Sequence, residues 1–421
     1  MLKSTRREFG RTIAGAALVG PGNHPTNAGA PPRRRVAGVT TVYYHNSHAD
    51  VILSRMLEGY TLEGKAPYPR LQMASLYIDQ FPENDKGRKL AATHGVRIFP
   101  RVEQALTLGG DQLAVDGVFL IAEHGNYPES DTGQIRYPKR TMFAEIASVC
   151  ERSRRAVPLF FDKHLADNWA DAKWIYEEAK RLRMPLMAGS SLPVLWRHPP
   201  REVERDQPLK EIVALSYHRL DAYGFHALEM VQCLAERRRG GETGVRQVRT
   251  LRDSAVWRAL DEGLVDRKLL EEAVSRYKDR PIPQDKKLSE LVPHPTLFVI
   301  DYRDGLRASV LTLGSLYLDW SVAWRYGDGR SDSTAFWTQE ARPFTHFALL
   351  VQQLEPFFRT GRPTWPVERT LLTTGVLDAL LISHRDGGTI VSTPQLAIAY
   401  QSRWNWRQPP PPAPDRPING Q

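Results

Sequence analysis

The stretch Val36-Ala37-Gly38-Val39-Thr40-Thr41-Val42-Tyr43-Tyr44 runs directly into His45-Asn46-Ser47-His48, and over residues 51–60 apolar side chains return at helical spacing. A continuous β-branched run reads as a strand buried on both faces, and the change of period after it predicts a strand followed at once by a helix. The same pairing recurs downstream. Residues 72–78, 117–122, 157–161 and 185–188 are strand candidates, and residues 86–94, 141–152 and 168–182 are amphipathic stretches between them. Alternation of this kind predicts parallel strands joined by right-handed helical crossovers, a doubly wound sheet that binds ligands beyond its carboxyl edge.

Beyond residue 190 the texture changes. Residues 297–302 and 306–313 alternate like longer strands joined through Asp304-Gly305, a hairpin signal, and helical patterns return at 344–359 and 366–384. The predicted fold class is therefore α/β followed by α+β. A Rossmann-like doubly wound parallel sheet over 31–190 precedes a 191–400 domain with an open, mostly antiparallel sheet and helices. A proline-rich tail over 401–421 reads as disordered. With 421 residues and 41% apolar content the chain has material for two cores.

The formal charge is +9, of which the first thirty residues supply three through Lys3, Arg6, Arg7 and Arg11 against Glu8. The remainder is scattered, without the aromatic-rich basic stripe of a nucleic-acid binder, so no nucleic-acid partner is expected. Thr5-Arg6-Arg7-Glu8-Phe9 followed by a weakly apolar stretch and Ala28-Gly29-Ala30 reads as a twin-arginine signal over 1–30 with a small-residue cleavage site. Export to the periplasm or an equivalent compartment follows as an expectation. No later stretch approaches the ~20 apolar residues of a membrane span. Cys150 and Cys233 lie among apolar neighbours at helical spacing and read as buried thiols.

The predicted strand ends concentrate polar groups on one edge: Tyr43 to His48, Asp79-Gln80, Glu123-His124-Gly125-Asn126, and Asp162-Lys163-His164. One false lead is set aside. Gly59 and Gly64-Lys65-Ala66 nearly match a P-loop, but the hydroxyl residue is missing and the segment follows a helix.

Val157-Pro158-Leu159-Phe160-Phe161-Asp162-Lys163-His164-Leu165-Ala166 resembles the Glu-Lys-Pro strand end of the glucose–fructose oxidoreductase and inositol dehydrogenase family. Leu120-Ile121-Ala122-Glu123-His124-Gly125-Asn126 is similar to that family's Ile-Ala-Thr-Pro-Asn strand end. Asp221-Ala222-Tyr223-Gly224-Phe225-His226-Ala227-Leu228-Glu229 resembles its Asp-x-Gly-x-His-x-x-Asp segment, with Asp221 one residue early. The resemblance covers roughly residues 36–391. It implies hydride transfer between a nicotinamide cofactor and a sugar, polyol or glycoside. Lys163, His226 and Asp221 would be catalytic. Ser47, Asp79, Glu123, His124, Asn126 and Lys163 would meet the cofactor, and Tyr217, His218 and His164 the substrate. A homodimer or homotetramer is implied too, and the apolar residues Phe298, Ile300, Leu316, Leu318, Trp320 and Trp324 offer more apolar surface than one core needs.

The departures from that pattern are as informative. A dinucleotide site places G-x-G-x-x-G after the first strand so that the pyrophosphate can approach the backbone. This chain has no glycine over 39–58. Ser47 can still cap the next helix, with Asp50 completing a capping box, which leaves a helix N-terminus for an anion. Asp79 stands where an acidic residue accepts from a ribose, favouring NAD over NADP; its plainer role is a helix cap. Two further readings stay open. His45, His48, His124 and Asp162 could hold a divalent metal for a lyase or hydrolase, or the crevice could bind a sugar without catalysis.

Overall fold

The computed structural model describes residues 33–277, 283, 285–314 and 316–412. The proposed signal lies outside them. Six parallel strands, β1 (Arg34–Thr40), β2 (Leu71–Ile78), β3 (Arg97–Ile98), β4 (Gly117–Ile121), β5 (Leu159–Asp162) and β6 (Leu186–Gly189), lie in the order β3-β2-β1-β4-β5-β6. The chain winds outward in both directions from the β1/β4 junction, so the carboxyl ends of β1 and β4 open a crevice at the point where the order reverses. β4 and β5 are buried along their whole length, as their unbroken apolar runs require.

The second sheet has eight strands: β7 (Trp196–His198), β8 (Leu209–Ser216), β9 (Val245–Arg252), β10 (Thr296–Tyr302), β11 (Arg307–Thr312), β12 (Trp320–Tyr326), β13 (Ser331–Trp337) and β14 (Val391–Ser392). Their order is β14-β9-β10-β11-β8-β12-β13-β7, and every neighbouring pair is antiparallel except β11 with β8. The β10–β11 hairpin turns at Gly305, whose φ of 93° a side chain would strain.

Two helices, Ala222–Ala235 and Glu368–Arg385, cover one face of this sheet, burying Phe298, Ile300, Trp320 and Trp324. A fully buried bidentate pair, Arg369 Nε and Nη2 on Glu236 at 2.9 and 2.5 Å, ties the first helix's C-terminal end to the second helix's first turn. The opposite face, with Leu297, Val299 and Leu311, is covered by the short helices Ser254–Asp261 and Arg267–Val274. Both faces are thus buried within the chain, and the apolar excess that suggested a self-contact at Phe298, Ile300 and Trp324 is taken up internally. The only large hydrophobic side chains exposed among the described residues are Phe81 and Ile390.

The helix Thr345–Thr360 leaves the second sheet and packs on the first. Leu350, Leu354, Phe357 and Phe358 meet Leu53 of the helix His48–Glu58, Phe119 of β4 and Phe160 of β5 in one apolar cluster. Residues 401–412, expected to be disordered, lie against the body. Arg205 donates to the carbonyls of Ser402 and Trp404 at 2.7 and 2.8 Å, and Trp406 Nε1 to Leu195 O at 2.8 Å. Trp196 Nε1 in turn donates to Pro410 O at 2.7 Å. Cys150 and Cys233 are free, buried thiols in separate clusters. Among the described residues no helix is long and apolar enough to cross a membrane.

Candidate active site at the carboxyl edge of the parallel sheet

The site is built on the ends of β4 and β5. The chain leaves β5 through Lys163 in the left-handed region, φ 53°, with its N–H on Gly189 O at 3.3 Å. It leaves β4 through His124, also left-handed at φ 65°. Bulky residues in that region are held there by their surroundings and cluster at functional sites. Between the two turns lies Glu123, 3% exposed, with Lys139 Nζ at 2.6 Å on one oxygen and Lys163 Nζ at 3.2 Å on the other. Burial alone would raise this carboxyl, but the two ammonium groups, with His164, hold it well below the usual carboxylate range. For Lys163 burial works downward, but Glu123 and Asp162 outweigh it, so the amine sits above its ordinary value and remains charged. Lys139 also reaches His164, donating to its carbonyl at 2.8 Å and lying 3.0 Å from Nδ1. Burial, then the neighbouring Lys139, pushes His164 down to about 3.

Two chambers adjoin this charged group. The larger, about 230 Å³, is lined by His48, His124, Lys163, Tyr217, Tyr223, His226, Trp320, Glu340 and His346 among others. The smaller, about 210 Å³, is lined by Glu123, His124, Tyr137, Lys163, His164, Arg219 and Asp221 among others. Lys163 and His124 face both. Tyr223 and Trp320 lie parallel, 9° apart, and Tyr217 packs against both, giving the larger chamber an aromatic wall beside charged groups. An apolar wall with a few convergent polar groups is the usual make-up of a small-molecule site. His226 enters from the helix Ala222–Ala235, and its Nδ1 lies 2.5 Å from Ser190 Oγ. Burial, then Lys163, holds its imidazole well below the ordinary histidine value. His124 Nδ1 is buried without a hydrogen-bond partner, a polar atom left for a ligand.

Several residues sit where the sequence placed them. Lys163, His226, His124 and Tyr217 converge on the larger chamber, and Glu123, His164 and Asp221 reach the smaller one. Asp221 is paired with Arg219 at 3.1 Å and does not share the chamber of His226. Asp79 closes β2 at the edge of the crevice, exposed, with the hydroxyls of Tyr77 and Tyr127 donating to it at 2.7 and 2.6 Å. It caps no helix; Asp85 holds the N–H groups of Gly87 and Arg88 at the next one.

Four readings need correction. Ser47 is fully buried and spent within its own turn, capping Asp50 N at 3.3 Å and donating to Tyr44 O at 2.8 Å, so it is not open to a pyrophosphate. Asp50 reaches back to Asn46 N at 3.0 Å and takes Lys86 Nζ at 2.5 Å, which puts a paired carboxylate at the helix start where an anion was expected. Asn126 is exposed and is bound through its backbone to Gln80, whose Nε2 and Oε1 lie at 3.1 and 2.9 Å. His218 is exposed beside Tyr217 and Tyr223 and lines neither chamber.

The fourth concerns the metal set. His45 is solvent-exposed and lies 3.8 Å from Asp50, away from His48, which pairs with Asp162. Among the described residues no group of three His, Cys, Asp or Glu side chains could hold a metal ion. Lys139, Ser190, Tyr223, Glu340 and His346 were not anticipated. Trp320, read as part of a subunit contact, forms a wall of the larger chamber.

No protein-family model matches the chain, and no curated protein matches it in sequence. Solved structures match its fold along nearly their whole length. GenD2 from gentamicin A biosynthesis, in complex with NAD, is 14% identical at a TM-score of 0.54, over 89% of this chain and 99% of that one. An NAD-binding oxidoreductase from Klebsiella pneumoniae is 12% identical at 0.52, over 86% and 99%. A myo-inositol dehydrogenase from Corynebacterium glutamicum is 12% identical at 0.51, over 85% and 98%. The architecture anticipated from the three strand-end and helix motifs is the one these structures share.

Proposed function

We propose that the chain is an oxidoreductase that transfers hydride between a nicotinamide cofactor, NAD in preference to NADP, and a hydroxyl-bearing carbon of a sugar, polyol or glycoside. The observation that carries this is the convergence of Lys163 and His226 on one aromatic-walled chamber at the carboxyl ends of β4 and β5. The shared fold with NAD-binding dehydrogenases supports it.

The residues present fit such a cofactor at its two ends. The orphaned His124 Nδ1 and the Lys163 ammonium are available to its nicotinamide ribose, and the exposed carboxylate of Asp79 to its adenosine ribose. The cofactor supplies the two-electron acceptor. The protein's part is to orient the alcohol and manage its proton. Glu123 fixes the Lys163 ammonium in place, and a charged donor in a water-poor chamber lowers the cost of negative charge developing on the substrate oxygen. His226 provides a second polar contact to that oxygen, and Tyr217, Tyr223 and Trp320 offer flat faces to a ring.

Calorimetric titration with NAD and NADP, joined to a nicotinamide-reduction assay over a panel of sugars and polyols, tests the reading. NAD should bind, with an affinity made modest by the missing glycine loop, and Asp79→Ala should weaken it. Absence of binding by either nucleotide would sink the proposal. We further propose export by the twin-arginine route and self-association as a dimer or tetramer. The first is supported by Arg6-Arg7 and the small-residue site after it.

A further inference from the structure

Proton transfer in this chamber has two imidazole candidates, and their partners differ. His48 is the first residue of the helix His48–Glu58, in the stretch where a dinucleotide fold would carry glycines. Its Nδ1 lies 2.6 Å from Oδ2 of Asp162, the last residue of β5, and Asp162 is 1% exposed. The ring stands edge-on to His124 and Phe347, each at 5.2 Å, and lines the same chamber as Lys163 and His226. A carboxylate only accepts, so the hydrogen in this contact belongs to Nδ1, and in the neutral ring the other nitrogen, Nε2, then carries the lone pair.

His226 has a different neighbour. Its Nδ1 meets the Ser190 hydroxyl, and that same oxygen already accepts Leu192 N–H at 3.0 Å. A hydroxyl so placed has its own hydrogen free to donate to Nδ1, and in that arrangement the imidazole hydrogen lies on Nε2. Among the described residues no carboxylate hydrogen-bonds to His226. Its positive neighbour is Lys163, which opposes the formation of an imidazolium there. The other two imidazoles near His48 and the carboxylate between the strand ends are otherwise held. Burial holds His124 down to about 3 and His346, from the helix Thr345–Thr360, down to about 4, while Glu123 is engaged by two lysines.

We propose that His48, oriented by Asp162, is the group that takes the proton from the substrate hydroxyl, and that His226 serves as a hydrogen-bond donor to the same oxygen. The assignment rests on the hydride-transfer reading. In the step the carbinol carbon loses hydride, with its electron pair, to an oxidised nicotinamide. The O–H proton passes to Nε2 of His48, the C–O bond becomes C=O, and Asp162 balances the imidazolium.

The test uses the full chain with NAD and whichever sugar or polyol of the panel gives turnover. His48→Ala should lower kcat by about 10²- to 10⁴-fold with KM little changed, and free imidazole in the assay should restore part of the rate. Asp162→Asn should lower kcat in the same sense, whereas His226→Gln should act mainly on KM. Wild-type turnover that survives His48→Ala, or imidazole rescue of His226→Ala in place of His48→Ala, would overturn the assignment while leaving the oxidoreductase reading intact. Absence of any wild-type turnover overturns that reading, and the role of His48 with it. A substrate-free measurement adds an independent arm. Nitrogen NMR should find His48 as the Nδ1–H tautomer, its signal shifting in Asp162→Asn; an Nε2–H tautomer would overturn the proposal whatever the turnover.

Discussion

At the end of β5 the left-handed turn at Lys163 carries a charged amine into the crevice, where Glu123 meets it at 3.2 Å. Removing one partner of a buried pair ordinarily costs about 3–5 kcal/mol, but Glu123 keeps Lys139 at 2.6 Å when Lys163 is lost. Lys163→Met should therefore cut turnover at least about a hundredfold while the protein stays folded, as activity and thermal-melting measurements on one preparation would reveal; a variant that melts cold would make Lys163 a structural residue. The same crevice sets a pH response. His124 and His164 are held down to about 3 from 6.5, both chiefly by burial. Between those values the unfolded chain binds more protons than the folded one, so this stability is fully present above about pH 6.5 and is lost as pH falls toward 3. The slope approaches ~1.4 kcal/mol per pH unit for each histidine, and the urea midpoint should fall steadily from pH 6.5 to 4. A flat midpoint would mean that both imidazoles are charged in the native state. Lys163, His226 and Tyr217 were legible because motif order singles out strand ends and one helix face. Lys139 was not, since a lysine at a helix start looks the same in sequence whether it is solvated or, as here, sealed against Glu123.

At the scale of elements, periodicity found the long segments and missed the short ones. β3 has two residues and the helices covering the far face of the second sheet have eight each, too few turns for a pattern to accumulate. That omission is why Phe298, Ile300 and Trp324 seemed to exceed what one core needs. The tail misled for another reason. Proline content reads as disorder, but residues 402–410 are held by hydrogen bonds to distant positions, the carbonyl of Ser402 by Arg205 and the tail's own Trp406 and Gln408 side chains by the backbone of Leu195 and Arg197, which composition does not encode. Packing of the helix Thr345–Thr360 on the first sheet gives a sharper test. A methyl group on Gly117, at the start of β4, would come within 2.7 Å of the Phe358 ring. Gly117→Ala should push the helix off the sheet and destabilise the fold by about 1–3 kcal/mol, seen as a lower denaturant midpoint. An unchanged midpoint would show that Phe358 can swing aside freely.

For the whole molecule, the sequence made the doubly wound half visible through the repeated pairing of apolar strand and amphipathic helix, and left the second half as texture because an open sheet's order depends on long-range pairing. The proposed export is tested on the entire chain: replacing Arg6 and Arg7 by lysine should leave precursor in the cytoplasm, and fractionation showing processed protein still outside would refute the twin-arginine assignment. The returning helix has a consequence for how the protein is made. Phe119 and Phe160, in the middle of the first sheet, share their apolar cluster with Leu354, Phe357 and Phe358, nearly two hundred residues or more further along the chain. A ribosome adding about 5–20 residues per second therefore leaves that apolar face incompletely covered for on the order of ten seconds or more, long enough to stick to other nascent chains. The topology puts synthesis and folding of this face out of step. Nascent chains arrested before residue 345 should be cut readily by protease across β4 and β5, and those arrested well after 360 should resist.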